Sequence, residues 1–240
     1  MTQLTANDKR YVVQRTPRDI RDLLTTHNNK LYLGGGFVRA TIAGETPSDI
    51  DLFGDDKARL ELIANDLAAG RPGSKIHKTK NAITVITPDR LPVQFITRWV
   101  FPNAQALVSS FDFTVCQAAL WRSGPQSNDE WVSRISDSFY IDLAGRRLVY
   151  TNPKGEEEAG GSMLRVIKYV KRGYSIQVSS LGDVIMRIVE AAKSQEALTK
   201  YAGMNEHEII INLLREVDPL LVIDGFEVVD DHAPIEGEQP

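Results

Sequence analysis

Two aspartates one residue apart, Asp49 and Asp51, carry the clearest chemical potential in this sequence. On an extended strand alternate side chains share a face, so both carboxylates project together while Ile50 and Leu52 turn into a core. Two like charges sharing a small site repel unless a cation sits between their oxygens. Hard oxygen ligands suit Mg²⁺, with Mn²⁺ as the chemical alternative, and phosphate oxygens would complete the octahedron. Fourteen positions upstream of Asp49 stands Gly35-Gly36-Phe37-Val38-Arg39. A glycine turn that opens a helix lets backbone N–H groups approach phosphate closely, the helix N-terminus adds positive potential, and Arg39 can supply a charged fork. An anion site is thus expected beside a metal site.

Other residues give weaker signals. Arg98 follows an apolar segment and could face a nucleotide, although an arginine there is more often simply a surface residue. Arg165, Lys168, Lys171 and Arg172 lie at helical spacing and could track a nucleic-acid backbone, yet a solvated helix face fits equally well. The four histidines, His27, His77, His207 and His232, form no metal-ligand spacing, and Cys116 is the single cysteine. None of these five receives a catalytic role.

The elements that must position the carboxylates follow from patterning. Thr16-Pro17-Arg18-Asp19 reads as a helix start capped by Thr16, running to about His27. Lys30–Leu33 reads as a strand entering the glycine turn, and Phe37–Ala43 as a helix ending at Gly44. Ile50–Phe53 is a second strand, and Asp55–Ala69 a helix with Leu60, Ile63 and Leu67 on one face. Ala82–Thr87 and Pro92–Thr97 are two more strands, followed by a short helix at Asn103–Ser109. Phe111–Leu120 alternates like a half-buried strand, Ser123–Asp129 reads as a loop, and Phe139–Leu143 pairs with Arg146–Tyr150 in an expected hairpin through Ala144-Gly145. Beyond residue 152 the spacing turns helical, with Met163, Ile167 and Val170, then Val184, Ile188 and Ala191, then Ile209, Leu213 and Leu214 as apolar stripes. The expectation is an α/β (α+β) chain. A mixed-sheet domain would occupy residues 1–153, a small helical domain 154–229, and a disordered acidic tail 230–240.

Bulk properties bound the partners. The chain has 240 residues, 42% hydrophobic and 25% charged, a formal net charge of −4 and a pI near 5.6. That is ample material for a core but no global positive field for nucleic acid, so any such surface must be local. The polar opening MTQLTANDKR has no apolar signal region, no run approaches membrane-spanning length, and one cysteine permits no internal disulfide. A cytoplasmic protein without membrane partners is the expectation.

Gly35-Gly36-Phe37-Val38-Arg39, Ile42-Ala43-Gly44 and Asp49-Ile50-Asp51 together resemble the head-domain signature of the DNA polymerase β nucleotidyltransferase superfamily. The likeness is to the branch containing bacterial CCA-adding enzymes and poly(A) polymerases. Phe111-Asp112-Phe113-Thr114-Val115 is similar to that branch's Arg-Arg-Asp-Phe-Thr segment, Phe139–Gly145 to the following strand and turn, and Met163–Tyr169 to the first helix of its neck domain. Coverage runs over roughly residues 30 to 175. The resemblance implies a head domain followed by a helical neck, Asp49 and Asp51 as catalytic metal ligands, and Gly35, Gly36, Arg39, Arg98, Asp112 and Arg165 around the nucleotide, with Asp112 at the ribose. Ala40 stands where these enzymes carry aspartate, Phe111 replaces an arginine, Gln94 occupies the best match to a third carboxylate, and Ala159–Ser162 lacks the Glu-Asp-x-x-Arg signature.

The implied activity is transfer of a nucleoside monophosphate from an NTP to an acceptor hydroxyl, on an RNA or tRNA 3′ end, a nucleotide or a protein. CCA addition itself is not expected, because the neck signature that helps choose the nucleotide is missing. Gln94 and Ala40 would also suit a catalytically degenerate nucleotide-binding module. A metal-dependent glycosyltransferase could use Asp-x-Asp, but it has no need of the Gly-Gly-Phe-Val-Arg element.

Overall fold

A computed structural model of the chain describes residues 2–124, 131–151 and 159–215. Most of the expected Ser123–Asp129 loop, the 153/154 boundary and the 230–240 tail therefore lie outside the described residues. In chain order the elements begin with α1 (Ala6–Arg15), α2 (Arg18–Thr26), β1 (Leu31–Gly34), α3 (Gly36–Ala43), β2 (Ile50–Gly54) and α4 (Lys57–Ala69). They continue with β3 (Lys75–Lys78), β4 (Ala82–Ile86), β5 (Val93–Ile96), α5 (Ala104–Ser110), a 3-10 turn (Thr114–Cys116), β6 (Ala118–Arg122), β7 (Trp131–Ile135), α6 (Phe139–Ala144) and β8 (Arg147–Leu148). The last are α7 (Ala159–Lys171), β9 (Ser175–Ile176), α8 (Val178–Ala192), α9 (Gln195–Lys200) and α10 (Glu206–Arg215). Among these residues no helix is long and apolar enough to cross a membrane.

Seven strands form a mixed sheet in the order β3-β4-β5-β2-β1-β6-β7. The β2/β5 pair is parallel and the other neighbours are antiparallel. Period-2 alternation divides its two faces. Leu31, Leu33, Ile50, Leu52, Val93 and Phe95 join the main core together with Val12, Ile20, Phe37 and Leu60 from α1 to α4. Tyr32, Phe53 and Ala119 lie on the other face, where Leu107 and Val108 of α5 and Phe101 cover them. Side chains cap the starts of α4 and α5: Asp56 accepts from the Arg59 amide at 2.7 Å, and Asn103 from that of Ala106 at 2.9 Å.

Several expectations are corrected. Thr16 ends α1 rather than starting α2, its hydroxyl donating to the Val12 carbonyl at 2.8 Å, while Pro17 precedes the first turn of α2. Phe111–Leu120 is not one strand, because the backbone turns through Thr114–Cys116 before β6 begins at Ala118. The hairpin expected across Ala144-Gly145 is instead helix α6 followed by β8, which pairs in parallel with β9. In α7 the buried stripe is Ser162, Val166 and Tyr169, whereas Ile167 and Val170 are exposed.

Helix α7 packs against α8 and α10, and its side chains also reach back to the first half of the chain. Arg165 bonds Asp112, the Tyr169 hydroxyl meets Cys116 Sγ at 2.9 Å, and Tyr174 just beyond the helix bonds Arg39. Two segments far apart in sequence are thereby closed around one space.

Candidate functional site

That space is a cavity of about 250 Å³. Its floor is set by strand register: Gly34 of β1 pairs with Asp51 of β2, Asp51 with Gln94 of β5, and Gln94 with Thr84 of β4. Asp49 and Asp51 both line it, as the two-residue spacing predicts. Beside them the chain leaves β1 through Gly35, at φ +66°, a conformation that favours glycine. A Cβ at Gly35 would come within 3.3 Å of the Phe111 ring and 3.9 Å of Asp51 Oδ2, while one at Gly36 would meet nothing within 4 Å. The N-terminus of α3 therefore opens on the carboxylates with no side chain between.

The electrostatics are set by crowding. Burial pushes the Asp51 carboxyl well above the usual carboxylate range, Asp49 adds to the shift, and Lys168 and Arg165 oppose it. Burial lowers the Lys168 ammonium, which Asp49 and Asp51 partly restore. An oxygen-only pair held together at this cost fits a hard divalent cation, with phosphate and water supplying the other ligands. Among the described residues no cluster of three or more His, Cys, Asp or Glu side chains is arranged to hold a metal, so the pair stands without a third such ligand.

The cavity is lined by two chemically distinct groups of residues. One is cationic and polar, with Gly35, Gly36, Arg165, Lys168 and Arg172. The other is apolar and aromatic, with Phe53, Ala82, Ile96, Trp99, Phe101 and Phe111, and its charged member is Arg98. Phe111 packs edge-on to Phe53 at 5.5 Å, and the Arg98 guanidinium lies 4.7 Å from the Trp99 ring while bonding Asn81.

Gly35, Gly36, Arg39, Asp49, Asp51, Arg98, Asp112 and Arg165 all line this cavity, as do Lys168 and Arg172 of the basic face but not Lys171, and Arg39 and Asp112 are already engaged by protein partners. Arg39 is 1% exposed, donates to Glu45 and, at 3.0 Å, to the Tyr174 hydroxyl, and stacks 4.8 Å from the Tyr169 ring. Its fork ties α3 to the segment after α7. Asp112 is 3% exposed and accepts from Arg165 Nε at 2.7 Å. Sequence reasoning left Lys168 and Arg172 as an undecided basic face and did not single out the aromatic lining. The i, i+3, i+7 spacing of Arg165, Lys168 and Arg172 was the available signal for the first. Nothing local marks the second, since its rings come from β2, the β5–α5 connection and the segment after α5.

Comparisons with known proteins bear on the family and the fold. The family model Gad2, described as Gabija anti-defense 2 family protein, matches residues 4–144. No curated protein matches the chain. Among solved structures, the Thermotoga maritima CCA-adding enzyme complexed with tRNA is 20% identical, with 89% of this chain and 52% of that chain covered and a TM-score of 0.54. A CCA-adding enzyme in complex with ATP is 16% identical, covering 89% and 54%, with a TM-score of 0.56. One in complex with CTP is 19% identical, covering 88% and 50%, with a TM-score of 0.54. At such identities the likeness is one of fold, and the chain spans about half the length of these enzymes.

Proposed function

This chain belongs to the Gabija anti-defense 2 family, and we propose that it acts there as a metal-dependent nucleotidyltransferase, moving a nucleoside monophosphate from an NTP to an acceptor hydroxyl. The observation that carries the reading is the carboxylate pair Asp49/Asp51 set between the open Gly35-Gly36 turn and the cations of α7 in one cavity. The head, residues 1–153, would supply the carboxylates and the glycine turn, and the helical unit, 154–229, would close over them.

In this reading the triphosphate lies along the cationic residues of the cavity. The amides at the start of α3 face phosphate oxygens, while Lys168 and Arg172 offset their charge. The Arg165–Asp112 pair fixes the ribose end. Asp49 and Asp51 would hold Mg²⁺, which when bound supplies charge neutralisation at the phosphates. In-line displacement requires the attacking and leaving oxygens on opposite sides of the α-phosphorus. With the leaving pyrophosphate held by the cationic residues, the acceptor would enter over Phe53, Ile96 and Trp99. The acceptor oxygen then bonds to the α-phosphorus, the bond to the bridging α–β oxygen breaks, pyrophosphate departs, and the hydroxyl proton passes to water or a carboxylate.

The family is described as a Gabija anti-defense family, and in this reading the acceptor would be a macromolecule or nucleotide on which that defence depends. Label from an α-phosphate-labelled NTP should reach such an acceptor with wild-type protein and not with folded Asp49→Ala. Wild-type labelling that persists in that variant would overturn the assignment. Gln94 favours one other reading, a nucleotide-binding module without catalysis, which would bind NTP and release no pyrophosphate.

A further inference from the structure

We propose that this site holds a single divalent cation per bound nucleotide, and that Gln94 is the residue that excludes a second; the inference rests on the nucleotidyltransferase reading above. The row of side chains crossing the sheet at the level of Asp51 is Gly34, Asp51, Gln94 and Thr84. It contains one charge. Two-metal sites place their ions about 3.5–4 Å apart and so concentrate four positive charges in one small volume. Here the protein offers the Asp49/Asp51 pair against that charge, since the third carboxylate of the cavity, Asp112, is already neutralised by Arg165, and the position flanking Asp51 on the parallel strand is a neutral amide.

Gln94 is 9% exposed, so solvent supplies little of the missing compensation. Its amide oxygen can serve as a ligand but brings no negative charge. The described residues contain no cluster of three His, Cys, Asp or Glu side chains from which another ligand could be drawn. The cations of α7 point the same way. Asp51 already has Lys168 and Arg165 as electrostatic neighbours, and Arg172 lines the same cavity. Phosphate charge that a second dication would offset is met by fixed protein cations instead, and a further dication would be repelled by them. The attacking hydroxyl would accordingly be positioned by the protein over Phe53 and Ile96, not by direct coordination.

The test is a Mn²⁺ titration followed by electron paramagnetic resonance, with full-length protein in excess over a nonhydrolysable α,β-methylene NTP. The expected result is one bound Mn²⁺ per analogue, with the spectrum of an isolated ion. Gln94→Glu should raise the count to two and broaden the spectrum through spin coupling. Two bound ions in the wild type would overturn the inference while leaving the metal site standing. No bound ion beyond that held by the free analogue would overturn both. A count that stays at one in folded Gln94→Glu would remove Gln94 as the cause, and the wild-type count decides the stoichiometry even if that variant does not fold.

Discussion

Replacing Arg39 by methionine should cost about 3–4 kcal/mol of stability, at the lower end of the cost of breaking a buried ion pair. Arg39 is 1% exposed and its partner Glu45 is 15% exposed. Methionine keeps most of the volume and the apolar stem, so little of the loss would come from a cavity. What disappears is the charge that pairs with Glu45, the bond to Tyr174, and the stacking of the guanidinium on Tyr169 and Tyr174. Each stacked ring contributes about 0.5–2 kcal/mol, and sulfur–aromatic contacts return about 0.3–1.5 kcal/mol of that. Glu45 retains the Tyr174 hydroxyl at 3.0 Å and Arg146 at 4.0 Å, which keeps the cost near the low end. For a chain of this size the loss corresponds to a fall in melting temperature of roughly 6–16 °C. Arg39→Lys should also destabilise, because a point charge cannot reproduce the fork that reaches Glu45 and Tyr174 together. Thermal melts by circular dichroism read both variants. A fall under about 3 °C for Arg39→Met, or a loss of nucleotide affinity with stability intact, would refute Arg39 as the tie between α3 and the segment after α7.

Asp51→Asn should behave in the opposite way. Because burial and then Asp49 raise the Asp51 carboxyl in the folded chain, the folded state holds that proton more tightly than the unfolded one. Stability from this group is present at acid pH and is lost as pH rises through the raised value. In metal-free buffer the variant should therefore melt above wild type at neutral pH, with the gap closing below about pH 4, the ordinary carboxylate range; a variant that melts lower at neutral pH would contradict the electrostatics. Asp112→Asn should lose stability, since Arg165 is left without its charged partner, and should narrow the preference for NTP over dNTP in competition binding. An unchanged preference beside the lost stability would assign Asp112 to structure alone.

The legible parts of the sequence are those where a local pattern meets a geometric demand. Gly35-Gly36, the return of the chain at Gly44 and the Asp49/Asp51 spacing each state a backbone requirement, and β1, α3 and β2 fall within a residue or two of their expected limits. Strand β3 carried no signal, since all four of its residues are exposed and an edge strand with one neighbour needs no alternation. Phe139–Leu143 has strand-forming rings, but only Phe139, Asp142 and Leu143 of α6 are buried, a spacing of three and four that tertiary packing selects. In α7 two apolar stripes compete, and the one carrying Tyr169 wins because Cys116 and Arg39 wait for it on the sheet side. The fate of Arg39 depends on Tyr174, 135 residues away, which no local spacing encodes.

The central claim is that the Asp49/Asp51 cavity transfers a nucleotidyl group, and paired labelling of the NTP tests it most directly. Wild-type protein with Mg²⁺ and the RNA, protein and nucleotides of cells that carry the Gabija defence should move label from the α-phosphate to one acceptor, while label in the γ-phosphate appears only in pyrophosphate, in equal amount. The double variant Asp49→Ala/Asp51→Ala should do neither and still fold. Label passing to an acceptor from the γ-position, or no transfer from either position by wild-type protein that binds NTP under the same conditions, would contradict the account.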